Sequence, residues 1–131
     1  MPPTLVHFYR EDDGTVPVRD WLCELMQRDR KAFANCVAAI RRLTELGYEL
    51  RRPQADYLRD GIYELRARRG RVNYRILYFF HGRNVALLAH GLTKEDKVPD
   101  VEIERALRRR RKYENAPQSH TAIEAVPENE S

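Results

Sequence analysis

Arginines, a histidine and a lysine recur in and just after a series of strand-like segments, at spacings that suit phosphate chemistry. The run Ile62–Arg68 reads Ile-Tyr-Glu-Leu-Arg-Ala-Arg. Its apolar set (Tyr63, Leu65, Ala67) alternates with a charged set (Glu64, Arg66, Arg68), so the two sets point to opposite faces of a strand, the apolar set towards a helical layer and the charged set into a solvent-facing concavity. The next run, Val72–Phe80, puts Asn73 and Arg75 on the face of Leu77 and Phe79, with Tyr74, Ile76 and Tyr78 on the other. A two-residue turn at Gly82-Arg83 would pair His81 with Asn84 and, further along the ladder, Arg75 with His90. Cross-strand partners share a face. Arg66, Arg75 and His90 are therefore expected to converge on one side of a sheet, within reach of Lys94 in the loop that follows. The register decides this, because a slip of one residue turns His90 to the other face.

Such a cluster could cut RNA. The 2′-hydroxyl attacks the adjacent phosphate, which needs a base for that hydroxyl, cations for the anionic phosphorane and an acid for the leaving 5′-oxygen. Arginine grips phosphate in a planar, bidentate way. A histidine or carboxylate could be the base, and a lysine or tyrosine the acid. Each residue also has a plainer role. Arg66 and Arg68 can be solvated charges on an exposed strand, Glu64 the ion-pair partner of Arg66 or Arg75, His90 a structural histidine, and Tyr113 packing at a helix end. Arg75 is the most suggestive, since it interrupts a strongly apolar strand.

The elements that must position these residues can be read along the chain. Thr4 to Tyr9 is rich in strand formers, and Glu11–Gly14 breaks it. Pro17 suits a first helical turn. Val18, Trp21, Leu22, Leu25 and Met26 make one helical stripe, and Phe33, Cys36, Val37, Ile40 and Leu43 a second. Asp29-Arg30 separates the two and Gly47 ends the second. Tyr48–Arg59 reads as a linking segment. Ile62–Arg68, Val72–Phe80 and Asn84–Gly91, divided by Gly-containing loops, read as an antiparallel meander. Thr93–Pro99 is polar and reads as a loop. Asp100 can cap a last helix from Val101 to about Tyr113. Its basic run, Arg108 to Lys112, also complements the helix dipole. The expectation is an α+β domain over residues 1–114: a mainly antiparallel sheet, an N-terminal helical hairpin on one face and a C-terminal helix. Residues 115–131 are expected to form a disordered tail.

Composition narrows the function. Lys and Arg number 24 against 20 Asp and Glu. The stretch 116–131 holds three acids and no Lys or Arg, which leaves a net charge of +7 on residues 1–115. A basic body suits a polyanionic partner, with Arg68, Arg69, Arg71, Arg108, Arg109 and Arg110 as candidate RNA contacts. No apolar run is long enough to span a bilayer and no secretory signal pattern opens the chain, so a cytoplasmic protein with no membrane role is expected. Cys23 and Cys36 read as buried, reduced thiols. The histidines lack zinc spacing, so neither a metal nor another cofactor is expected.

Several segments resemble a known family. Leu58-Arg59-Asp60-Gly61-Ile62-Tyr63-Glu64-Leu65-Arg66 is similar to the L-x-x-G-[IL]-[YW]-E-L-R strand of HigB-like toxins, a phage-associated branch of the RelE/ParE superfamily. Tyr74-Arg75-Ile76-Leu77-Tyr78 resembles its Y-R-x-x-Y strand. His90-Gly91-Leu92-Thr93-Lys94, then Pro99 and Glu102-Ile103-Glu104-Arg105-Ala106, resemble its H-G-F-x-K…P-x-x-E-I-E-x-A ending. The resemblance spans about residues 4–113. It implies a RelE-like fold and a ribosome-dependent messenger RNase, held inactive in a hetero-oligomer with a helix-turn-helix antitoxin. It assigns Arg66, Arg75 and Lys94 as phosphate-binding and catalytic cations, with His90 and Tyr113 as further catalytic candidates. Leu92 stands where the family usually has Phe, and Glu95 where a second Lys is common, which weakens the cationic patch. Two other functions fit the same fold: a ParE-like binding protein that poisons DNA gyrase, and a degenerate regulator that only binds an antitoxin.

Overall fold

Asp29 does two jobs at the junction of the first two helices. Its backbone N–H closes the end of α1 (Pro17–Arg28) on the Leu25 carbonyl, and its carboxylate accepts from Ala32 N–H at 3.1 Å at the start of α2 (Arg30–Leu46). These caps satisfy backbone groups that a helix end leaves orphaned. Helix α2 stops at Gly47, whose φ is +52°, and a Cβ there would meet the Thr4 hydroxyl. The computed structural model describes residues 4–93 and 97–123. The remaining elements are β1 (Leu5–Tyr9), β2 (Ala55–Arg59), β3 (Ile62–Arg69), β4 (Val72–His81), β5 (Val85–Thr93), α3 (Asp100–Asn115) and β6 (Thr121–Ala122), with short 3-10 turns at Gly47–Glu49 and Pro117–His120.

The strands form one six-stranded sheet in the order β2-β3-β4-β5-β1-β6. All neighbours are antiparallel except β1 and β5, which run parallel. The architecture is α+β, as the pattern of elements implied. One sheet face is covered by α1 and α2. Leu22, Phe33, Ile40 and Leu43 pack there on Leu65, Ile76, Tyr78 and Leu88. Close approach is possible because Gly91 has no side chain: a Cβ there would lie 2.5 Å from the Trp21 ring of α1.

The opposite face corrects an expectation. The sequence pointed to a wet concavity, but Leu77, Phe79 and Leu87 build a second core with Ile103, Ala106 and Leu107 of α3. The apolar residues beside Arg75 require such a cover, since leaving them in water would forfeit roughly 1.5–3 kcal/mol each. Three local readings also change. Tyr48–Arg59 is no mere linker, because its second half is the edge strand β2, which begins two residues after Pro53. Asp100 is the first residue of α3 rather than its cap; Pro99 holds the cap position and no side chain caps the helix. The chain after Asn115 was expected to lack structure. Instead Pro117–His120 forms a 3-10 turn and Thr121–Ala122 pairs with Phe8 and Tyr9 of β1. Buried His120 fastens it, stacking on Tyr9 and contacting the Arg10 carbonyl through Nδ1 at 2.8 Å. No helix among the described residues is long and apolar enough to cross a membrane. Both cysteines are free; Cys36 is buried, which pushes its thiol up to about 12, and Cys23 is half-buried.

Candidate functional site

Arg66 and Arg75 are direct cross-strand partners in the β3–β4 ladder, on the face that carries α3. Like charges placed opposite each other repel, and Glu64 resolves the conflict. Its carboxylate is 2% exposed and lies between them, 2.8 Å from Arg66 Nη2 through Oε2 and 2.8 Å from Arg75 Nη1 through Oε1. Asp56 of β2 extends the array, accepting from Arg52 at 2.8 Å and from Arg66 at 3.3 Å. The Arg52 hydrogen bond holds the Asp56 carboxyl below the usual carboxylate range. Arg66 is 34% exposed and Arg75 11%. Each guanidinium has five donors, of which these carboxylates take only part.

The pair opens onto a groove of about 530 Å³ between β2, β3, β4 and the start of α3. Arg52, Arg59, Arg66, Arg75 and Lys97 face three carboxylates there (Asp56, Glu64 and Asp100). An excess of cations in a partly enclosed groove raises the local concentration of anions. Such a surface can hold a phosphodiester by its non-bridging oxygens while one rim stays open to a chain.

The sequence-derived site separates into parts. Arg66 and Arg75 come together as expected. Lys94 lies outside the described residues. His90 reaches the expected face by an unexpected route. The β4–β5 loop has three residues, Gly82 to Asn84, so His81 pairs with Val85 rather than Asn84. A bulge at Ala89 then shifts the ladder again, placing Leu77 opposite His90 and Leu92 opposite Arg75. Each shift alone would turn His90 over; together they move it by two residues and preserve its face.

His90 does not line the groove, however. Arg109 lies 3.2 Å from Nδ1, and Glu102 Oε1 lies 3.3 Å from Nε2. A guanidinium can only donate, so Nδ1 accepts and the ring proton of neutral His90 sits on Nε2, facing Glu102. Arg109 is itself held by Glu11 at 3.2 Å and by the Ala89 carbonyl at 2.7 Å. Burial keeps His90 below the ordinary value of 6.5; Glu102 opposes that shift, while Arg109 and Arg105 add to it. The unfolded chain therefore takes up this proton before the folded one does. His90 contributes stability that is whole above about pH 6.5 and declines as the pH falls below it. His7 is shifted the same way by burial. Urea midpoints should thus fall between about pH 7 and about pH 5, and His90→Gln, which keeps one acceptor and one donor, should flatten the slope. An unchanged slope in that variant would place the titration elsewhere.

Tyr113 is not brought to the groove. Its buried ring packs on Phe79 and His81, towards the far end of β4 from Arg75, and burial raises its hydroxyl. Arg68, Arg69 and Arg71 surround the exposed β3–β4 turn, with Arg68 bonded to the Gly70 carbonyl and Arg69 to Asp29. The run on α3 splits around the helix: Arg108 is exposed, Arg109 turns inward to Glu11, and Arg110 bonds the Asp60 carbonyl. Among the described residues no group of three or more His, Cys, Asp or Glu could hold a metal ion.

Sequence reasoning missed Arg52, Asp56, Arg59 and Lys97. The signal for Asp56 was present. Ala55-Asp56-Tyr57-Leu58 puts Asp56 and Leu58 on one face, and in a strand paired with Ile62–Arg69 that face is the one carrying Glu64.

Residues 20–111 match the model of the family described as Phage derived protein Gp49-like (DUF891). No curated protein matches the chain.

Proposed function

Because the chain belongs to the phage-derived Gp49-like family, whose general character is toxin-like, of the RelE/HigB type, we propose that it is the toxin of a type II toxin–antitoxin pair. In this reading it cleaves messenger RNA on the ribosome without a metal. The observation that supports cleavage is the placing of Arg66 and Arg75 side by side on one sheet face, at an open groove.

In the proposed reaction the 2′-oxygen attacks the adjacent phosphorus. Arg66 and Arg75 stabilise the charge that builds on the non-bridging oxygens. The bond to the 5′-oxygen breaks, leaving a 2′,3′-cyclic phosphate and a 5′-hydroxyl. Asp56 is the partly exposed groove carboxylate that would receive the 2′-hydroxyl proton, and the Arg52 hydrogen bond that holds its carboxyl low makes it a weak base. Lys97 is the described lysine on the groove suited to protonate the leaving oxygen. Arg68, Arg71 and Arg108 would dock on ribosomal RNA by phosphate contacts, and so lose affinity as salt rises. A helix-turn-helix antitoxin would neutralise the chain by covering part of this basic surface.

Translation-coupled cleavage in a purified system tests the reading. Arg66→Ala and Arg75→Ala, each shown to be folded, should cut about 10²-fold more slowly, the lower end for loss of one such donor, because Glu64 already takes part of their charge. Equal cutting by both variants and the parent would remove the site. One observation favours a protein that does not cut: Glu64 engages both arginines. If messenger RNA stays intact while purified gyrase is inhibited, the gyrase-binding reading replaces this one; no growth arrest on overexpression points to a regulator.

A further inference from the structure

A second cavity, of about 520 Å³, opens at the β2 edge of the sheet, with Tyr48, Tyr57 and Tyr63 in its wall beside Arg51 and Arg52. Tyr57 is 53% exposed and Tyr48 43%. Their rings are already set. Tyr48 stacks on Phe80 with centroids 3.8 Å apart, Tyr57 stands edge-on to Tyr63 at 5.0 Å, and Tyr63 stacks on Tyr78 at 5.4 Å. The Arg51 guanidinium is anchored on the Tyr48 and Leu50 carbonyls. A clustered, oriented aromatic surface left in water beside two arginines has the character of a stacking platform for single-stranded nucleic acid, because every base offers a π-face.

Continuity with the groove fixes the occupant. Arg52 and Asp56 line both cavities, and contacts run unbroken from Arg52 through Asp56 to Arg66. The two cavities lie on opposite faces of the sheet, since Ala55, Tyr57 and Tyr63 alternate with Asp56 and Glu64, and they meet over the β2 edge. A chain whose phosphate sits on Arg66 and Arg75 would reach the tyrosines by passing over that edge.

We propose that the Tyr48–Tyr57–Tyr63 cavity is a nucleobase subsite, taking a splayed base from the strand whose phosphodiester the groove holds, where that strand passes over the β2 edge. This rests on the reading that the groove holds RNA. Tyr57 supplies the exposed ring on which the base stacks. Arg51 and Arg52 supply positive charge for the intervening backbone.

The test uses the full chain without ribosomes and a short, end-labelled 2′-O-methyl oligoribonucleotide, which cannot be cut by 2′-oxygen attack, followed by fluorescence anisotropy. A matched set of probes carries a single abasic site at successive positions. Tyr57→Ala should weaken binding by about fivefold or more, as stacking losses on alanine substitution do. Tyr57→Phe should bind like the parent. One abasic position should weaken binding to the parent but not to Tyr57→Ala. Parent-like binding by a folded Tyr57→Ala, no abasic effect, or no binding of the probe by the parent overturns the subsite. Protection of Tyr57 by a helix-turn-helix partner but not by the oligonucleotide also overturns it, in favour of a protein-docking surface. Ribosomal cleavage is read separately. Cutting without base-dependent binding ends the subsite and leaves the nuclease reading; base-dependent binding without cutting does the reverse.

Discussion

Glu64→Ala should lose about 3–4 kcal/mol of folding free energy, read from urea unfolding. Removing one partner of a buried ion pair typically costs about 3–5 kcal/mol, because the charge left behind is uncompensated. Here Arg66 and Arg75, directly opposite each other, both lose their shared partner, and Arg66 alone keeps a second carboxylate, Asp56. Arg66 is a third exposed and water screens it, so the lower part of the range applies. A domain of this size has only about 5–15 kcal/mol in total, so the loss is a large share. Glu64→Gln should fall between parent and Ala, keeping shape and hydrogen bonds without charge. Added phosphate should restore more stability to Glu64→Ala than to the parent, since an anion that binds only the folded arginines stabilises them by mass action. A loss under about 1 kcal/mol, the worth of an exposed pair, would show that Glu64 is not what holds the two arginines together.

Phe79→Ala should cost about 3–5 kcal/mol, the range for emptying a buried aromatic site. Phe79 is fully buried near the end of β4. It belongs to the core under α3 and meets the Tyr113 ring at 5.7 Å. The same core positions the groove, because Val98 and Ile103 belong to both. Hydrogen exchange should therefore show α3 opening more readily in this variant than α1 or α2 do. Uniform loss of protection over all three helices would mean that the two layers unfold as one unit.

The helices and meander were legible because their signals are local. Val18 and Leu22 fall on a 3.6-residue stripe and are fully buried, and Tyr63, Leu65 and Ala67 alternate with Glu64 and Arg66 as a half-buried strand must. What was not legible depended on distant partners. Leu77 and Phe79 share a face with Arg75, a pattern that needs a covering layer, yet the face was read as open to solvent because nothing local shows that α3 covers it. The convergence of Arg66 with Arg75 was readable because a short turn at Gly70 fixes their register. The place of His90 was not, since it depends on an extra loop residue and a bulge whose effects on its face cancel. Glu64 could be read as the partner of either arginine; that it serves both at once required the third dimension. Thr121 and Ala122 carry too little pattern to announce a strand; they pair because β1 offers a free edge.

The parallel alignment of β1 with β5 bears on how the chain is made. Leu5 finds its ladder partner in Val85, roughly 80 residues later. At translation rates of about 5–20 residues per second, the first strand emerges some 4–16 s before its neighbour exists. Loop-closure entropy must be overcome before that pairing gives any return. While synthesis continues, β1 has no sheet to join. Until β5 is made, β1 is open to premature partners, and completing the sheet waits until Thr121 and Ala122 have been made.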